Sequence, residues 1–233
     1  MGSSEKTGNI FSRYNVESPI ATELRRLYSN LKRQSKAHNF KSFLITSSRR
    51  GEGKSTIASY LAVTIAQFSQ RKVLIVDADL RRPRIHSIFG LKNTGGLLEC
   101  LTGAEEPLAA IKKTELENLD VITAGGATQE PSRFFESELL SELFDKVKFY
   151  YDIVLIDSAP VLAVSDTLFL GVESDAVLLV CLAGVTPRDV VVRARDTLLD
   201  ANMNLIGILV NNVSEVLPYY YDYKYYGAYN KAK

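Results

Sequence analysis

The sequence predicts an α/β fold with a mostly parallel central sheet and helices on both faces. Three observations carry this reading. Short, wholly apolar runs recur along the chain, as buried parallel strands require. Stretches with helical apolar spacing lie between them. Three charged turn segments each follow the C-terminal end of an apolar run, where open α/β sheets bind their ligands.

Residues 1–17 are polar and irregular and read as a flexible lead-in. Ser18-Pro19 marks a helix start, with Ser as N-cap and Pro at the first helical position. Leu24, Leu27 and Leu31 then give one apolar stripe to a helix over about 18–36. Phe43–Thr46 is the first buried strand. It leads through a glycine-bearing turn into a helix ending near Gln67. Val73–Val76 is the second strand and Leu119–Ile122 the next. From Pro131 one helix is expected, with Phe134, Leu139, Leu140, Leu143, Phe144 and Val147 as its apolar residues. Ile153–Ile156, Ala176–Leu182 and Leu205–Val210 are further strands, the last two separated by a helix starting near Pro187. The division expected is a lead-in at 1–17, one domain at 18–217 and a tail at 218–233.

The chain has 233 residues, 46% of them hydrophobic, which suits one α/β domain with a sizeable core. Its 28 basic and 27 acidic side chains nearly cancel, so no nucleic-acid partner and no strongly anionic surface is indicated. Cys100 and Cys181 have no metal-ligand spacing, and Cys181 lies inside an apolar run. Two such thiols suit a reducing cytoplasm. No apolar run approaches the roughly 18–20 residues that span a bilayer, so a membrane link is expected through a partner.

The first charged turn is Ser48-Arg49-Arg50-Gly51-Glu52-Gly53-Lys54-Ser55-Thr56. It follows the pattern of a phosphate-binding P-loop, with Ser48 at the first glycine position. Gly51 and Gly53 let successive N–H groups face an anion, and the helix that follows presents its N-terminus to the same place. Lys54 is placed to reach the β- and γ-phosphates and Ser55 to offer a hydroxyl to Mg²⁺. ATP and Mg²⁺ are therefore the expected cofactors, and the fold is a P-loop NTPase. Asp77 and Asp79 follow one strand and Asp157 another. Carboxylates at that mouth supply and orient the shell of a hard cation. One beside the γ-phosphate can accept a proton from an attacking hydroxyl. Arg81, Arg82 and Arg84 follow closely. They either neutralise transferring phosphate charge or pair with acids, and the sequence weighs these evenly.

These motifs together resemble one family, the bacterial tyrosine kinases of capsular and exopolysaccharide synthesis, which are related to the MinD/ParA P-loop ATPases. The resemblance covers about residue 18 to the end. Residues 47–56 resemble its Walker A loop. Val73-Leu74-Ile75-Val76-Asp77-Ala78-Asp79-Leu80-Arg81-Arg82-Pro83 resembles its Walker A′ motif, and Tyr151–Pro160 its Walker B. Asn211 matches the position that contacts adenine in the wider group. The resemblance implies that Lys54 binds phosphate and that Ser55 and Asp157 hold Mg²⁺. It places Asp77 at the metal shell or the incoming tyrosine hydroxyl. It also implies activation by a membrane protein governing polysaccharide chain length, a cognate tyrosine phosphatase, and self-association through the first helix. In that helix Arg25 and Asn30 fit the family's assembly motif, whereas Thr22, Tyr28 and Ser29 stand where Glu, Arg and Thr are expected.

Seven of the 12 tyrosines fall in the last 15 residues: Tyr219, Tyr220, Tyr221, Tyr223, Tyr225, Tyr226 and Tyr229. The segment has almost no aliphatic residue and builds no core, so it is expected to be flexible. A tyrosine-rich tail beside an ATP site is the expected phosphoacceptor, in its own or a neighbour's active site. Expected overall is an autokinase that regulates polysaccharide synthesis and export, works in the cytoplasm and is recruited to the membrane by its activator; the alternative is a MinD/ParA-like ATPase switch without kinase activity.

Overall fold

A computed structural model of the chain describes residues 9–126, 128 and 130–213; the tyrosine cluster lies outside the described residues. The elements run α1 (Ile10–Arg13), α2 (Pro19–His38), β1 (Ser42–Ser47), α3 (Lys54–Phe68), β2 (Val73–Asp77), α4 (Ile85–Phe89), α5 (Leu97–Leu101), β3 (Lys112–Lys113), β4 (Leu119–Ile122), α6 (Pro131–Phe135), α7 (Glu138–Tyr150), β5 (Ile153–Asp157), α8 (Asp166–Glu173), β6 (Ala176–Leu182), α9 (Arg188–Asp200) and β7 (Leu205–Asn211). Seven strands form one sheet in the order β3-β4-β2-β5-β1-β6-β7, and every pairing is parallel except that of β3 with β4.

The inner strands β1, β2, β4, β5 and β6 bury both faces because their side chains alternate between two helical layers, whereas edge strand β7 leaves Ile208 and Val210 exposed. Phe43, Ile45, Val73, Ile75, Ile153 and Leu155 point into a core shared with α2 and α3. Leu44, Leu74, Val76, Val154 and Ile156 point into the opposite core, shared with α5 and α7. The α2 helix starts as its sequence dictates: the Ser18 hydroxyl accepts from the Ala21 N–H at 3.1 Å, and Pro19 occupies the first turn. Asn39 in the left-handed region ends it.

Two features depart from the sequence reading. The single helix expected from Pro131 is broken into α6 and α7, because Ser137 adopts an extended conformation and returns its hydroxyl to the Phe134 carbonyl at 2.8 Å. Part of the stretch expected to be a flexible lead-in packs on the domain. Ile10 is buried, Phe11 meets Phe89 edge-on with ring centres 5.7 Å apart, and the Tyr14 hydroxyl bonds the Thr64 hydroxyl at 2.8 Å. Among the described residues no helix is long and apolar enough to cross a membrane.

Candidate functional site

The site forms at the C-terminal ends of β1, β2 and β5, three neighbouring strands. The loop after β1 turns sharply because Gly51 and Gly53 adopt φ of +87° and +89°, where a side chain is strained. Gly53 is doubly constrained. A Cβ there would lie 2.3 Å from the amide nitrogen of Asn211. That amide donates to the Glu52 carbonyl at 3.0 Å, while the Asn211 side-chain oxygen accepts from the Asn212 N–H at 2.9 Å. Asn211 therefore lies against the phosphate loop. Each of its polar ends keeps one further bonding position for a ligand. Ser48, at the first glycine position, is fully buried with its hydroxyl unpartnered.

Glu52 turns its side chain away from the loop's mouth. Its buried carboxylate accepts the Arg49 N–H at 2.8 Å with one oxygen and the Thr186 hydroxyl with the other. The loop is thereby tied to the segment between β6 and α9. Sequence reading missed this brace, since the two residues lie 134 positions apart.

Lys54 opens α3, and its ammonium donates to Asp79 Oδ2 at 2.9 Å, Asp157 Oδ1 at 3.5 Å and the Ser55 hydroxyl at 3.2 Å. Asp77 and Asp157 are paired residues in the β2–β5 register, and both are fully buried. Asp77 Oδ2 accepts from the N–H groups of Arg84 and Ile85 at 3.0 and 2.9 Å, so it holds the start of α4. Asp79 Oδ1 accepts the Arg82 N–H at 3.1 Å and fixes the turn after β2. The strand-end loop after β5 is fixed likewise. Thr46 and Thr167 both donate to the Ala159 carbonyl, at 2.8 and 2.7 Å.

Crowding acids in a dry place disfavours their ionised forms. Burial, with the Asp157 charge next, pushes Asp77 up to about 8, against the pull of its two backbone donors. Burial also raises Asp157 to about 6, partly offset by Lys54. Lys54 itself is held above the ordinary lysine range. Burial opposes its charge, but Asp157 and Asp79 outweigh that.

Asp77 Oδ1 and Asp157 Oδ2 are buried and have no hydrogen-bond partner. Orphaned carboxylate oxygens of this kind, beside the Ser55 hydroxyl, fit a Mg²⁺ ion that brings waters and nucleotide phosphates as its remaining ligands. Among the described residues no cluster of three or more His, Cys, Asp or Glu side chains is set to hold a metal by itself. Mg²⁺ bound with a nucleotide does not require one.

The even choice over the arginines after β2 resolves for one of them. Arg81 reaches Asp166 at the start of α8 with Nε at 2.8 Å and Nη2 at 3.3 Å, and Asp166 also accepts from the Ser132 hydroxyl at 2.5 Å. Arg81 is thus a clamp between the β2 turn, α6 and α8, while Arg82 and Arg84 remain exposed. On α2, Arg25 donates to the Val16 carbonyl and the Thr22 hydroxyl at 3.0 and 2.8 Å and stacks over Phe68. Tyr28 is buried.

Comparison with known proteins places this arrangement. Residues 41–185 match the AAA domain family. The tyrosine-protein kinase YwqD of Bacillus subtilis is 34% identical over 94% of this chain and 91% of its own length. The chain belongs to the bacterial tyrosine-protein kinase family. The putative tyrosine-protein kinase CapB of Staphylococcus aureus is 32% identical over 91% of this chain and 92% of its own. Among solved structures, the chimerical protein CapA2B2 superposes with a TM-score of 0.81 at 33% identity, covering 86% of this kinase and 88% of that chain. The mostly parallel seven-stranded sheet with its flanking helices in this kinase is a P-loop NTPase fold.

Proposed function

We propose that the chain is an ATP:protein-tyrosine autokinase that phosphorylates its own C-terminal tyrosines, Tyr219, Tyr220, Tyr221, Tyr223, Tyr225, Tyr226 and Tyr229, and so regulates polysaccharide synthesis and export. The observation that carries this reading is the pair of orphaned oxygens on Asp77 and Asp157, side by side where the Lys54 ammonium meets the phosphate loop. Residues 18–217 form the kinase domain and 218–233 the substrate tail.

In this reading the backbone of Gly51, Glu52, Gly53, Lys54, Ser55 and Thr56 cradles the phosphates, and Asn211 borders the adenine. Lys54 exchanges Asp79 and Asp157 for the β- and γ-phosphates and spreads the charge that builds up on the transferring group. Ser55 and Asp157, with Asp77 beside them, would hold Mg²⁺. The ion supplies charge neutralisation across the phosphates when bound. Asp79 holds the turn that presents Asp77. With Ser55 and Asp157 holding the ion, Asp77 Oδ1, which has no partner within the chain, accepts the proton of the incoming tyrosine hydroxyl.

The membrane co-polymerase that sets polysaccharide chain length is the proposed activator. It recruits the kinase to the inner face of the membrane, and a cognate tyrosine phosphatase resets the tail. Self-association through α2 would use its outward face, where Ile20 is exposed, because Arg25 and Tyr28 are engaged within the chain. The test is phosphotyrosine detection after incubation with Mg·ATP, with Asp157→Asn as control. Labelling in the parent and none in the variant supports the reading. ATP hydrolysis without tyrosine labelling would point instead to a nucleotide-driven switch.

A further inference from the structure

Twelve tyrosines occur in the chain, and five lie among the described residues: Tyr14, Tyr28, Tyr60, Tyr150 and Tyr151. Tyr28 and Tyr151 are buried, and Tyr14 and Tyr60 are half-buried with their rings 6.0 Å apart. Tyr151 also spends its hydroxyl on Asp120, at 2.7 Å. Tyr150 alone among them is exposed, at 54%, at the last residue of α7 beside the still more exposed Phe149.

Sequence and surroundings single out the same residue. Phe149-Tyr150-Tyr151-Asp152 repeats the order of Tyr219-Tyr220-Tyr221-Asp222 in the tail: aromatic, tyrosine, tyrosine, aspartate. An active site that accepts the tail sequence meets at this helix end the exposed pair Phe149-Tyr150 in the same order, with Tyr151 turned inward. The residue also lines a cleft of about 210 Å³ into which Lys72 and Lys113 contribute. A phosphate there would add about −1.5 to −2 charges beside two ammonium groups, one of which, Lys113, now rests on Asp120 at 2.8 Å. Glu117, Asp120 and Asp152 are the nearby acids; Asp120 is held by Lys113 and Tyr151, and Asp152 faces Arg71 at 3.5 Å and accepts the Lys72 N–H at 2.9 Å.

We propose that Tyr150 is a second phosphoacceptor, outside the tail, modified by another copy of this chain. In the transfer the Tyr150 oxygen forms a bond to the γ-phosphorus of ATP, the bond to the β-bridging oxygen breaks, and ADP leaves. The hydroxyl proton passes to the base of the attacking copy's site. Transfer within one chain is barred by the sheet. Tyr150 lies before the first residue of β5 and Asp157 is that strand's last, which puts them roughly 20 Å apart at opposite ends of the sheet. The inference rests on the kinase reading above, with tail labelling as its internal control.

The experiment uses the full chain with Mg·ATP, comparing the parent, a variant with all seven tail tyrosines changed to Phe, and that variant with Tyr150→Phe added. Phosphopeptide mapping is expected to find one phosphoryl group per chain on Tyr150 in the tail variant and none after Tyr150→Phe. The labelled fraction should rise with protein concentration. A Lys54→Met chain should acquire the Tyr150 phosphate only when mixed with active chains. A labelled tail with Tyr150 unmodified overturns the proposal and leaves the autokinase reading standing. Tyr150 labelling at a concentration-independent rate overturns the intermolecular route. Absence of all labelling removes both readings.

Discussion

Asp77→Asn should make the ligand-free protein more stable at neutral pH while abolishing its kinase activity. The wild-type carboxyl is fully buried, beside Asp157, and is pushed up from 3.8 to about 8. The folded state therefore holds a proton that the unfolded chain releases above about pH 4. The group's contribution to stability is complete below about pH 4 and is lost as pH rises toward 8, at up to about 1.4 kcal/mol per pH unit. At pH 7 the accumulated loss is roughly 4 kcal/mol. An asparagine still accepts from the Arg84 and Ile85 N–H groups but does not titrate. Its amide nitrogen takes the place of the unpartnered Oδ1, at a cost of about 1–2 kcal/mol. The net gain is about 2 kcal/mol, or a Tm higher by roughly 4–8 °C for a chain of this size. Calorimetry without nucleotide at pH 5, 6, 7 and 8 measures it. The wild-type Tm should fall across this range and the variant's should fall less, with the two diverging as pH rises. Parallel curves, or a variant less stable at pH 8, would refute the burial argument.

Gly53→Ala forces a side chain into φ of +89° and onto the Asn211 amide, so the ATP dissociation constant should rise at least about tenfold by titration calorimetry. Thr186→Val strips the hydroxyl from the buried Glu52 carboxylate, leaving an unpaired oxygen that costs about 1–3 kcal/mol. The KM for ATP should rise about tenfold and Thr186→Ser should restore it. Gly96→Ala would place a Cβ 2.2 Å from the Thr123 carbonyl oxygen and 2.6 Å from the Gly125 nitrogen, both backbone atoms. Thermal unfolding should reveal a loss of about 2–3 kcal/mol.

Local chemistry made the site readable from sequence. Buried strands advertise themselves as unbroken apolar runs, and an aspartate directly after such a run lies at the C-terminal end of its strand. Asp77 and Asp157 were placed that way, and the β2–β5 register sets them side by side. The phosphate loop is likewise a contiguous string whose glycines take the left-handed conformations it requires. What escaped was the chemistry between distant positions. Nothing near Arg81 in sequence announces Asp166, 85 positions on, and nothing near Glu52 announces Thr186. The break at Ser137 was hidden because the apolar spacing runs on across it, while the helix is interrupted by a backbone turn. The short α1 was missed because a four-residue helix carries too little periodicity to be seen.

The measurement that bears most directly on the account is intact-mass spectrometry of the full chain after Mg·ATP. It compares wild type with Lys54→Met, which removes the ammonium between Asp79 and Asp157, and with the seven-tyrosine tail variant. The account predicts several added phosphoryl groups in wild type, none in Lys54→Met, and at most the single group at Tyr150 in the tail variant. An unchanged wild-type mass, even with the cytoplasmic segment of a membrane activator present, or equal phosphoryl uptake by wild type and Lys54→Met, would contradict it.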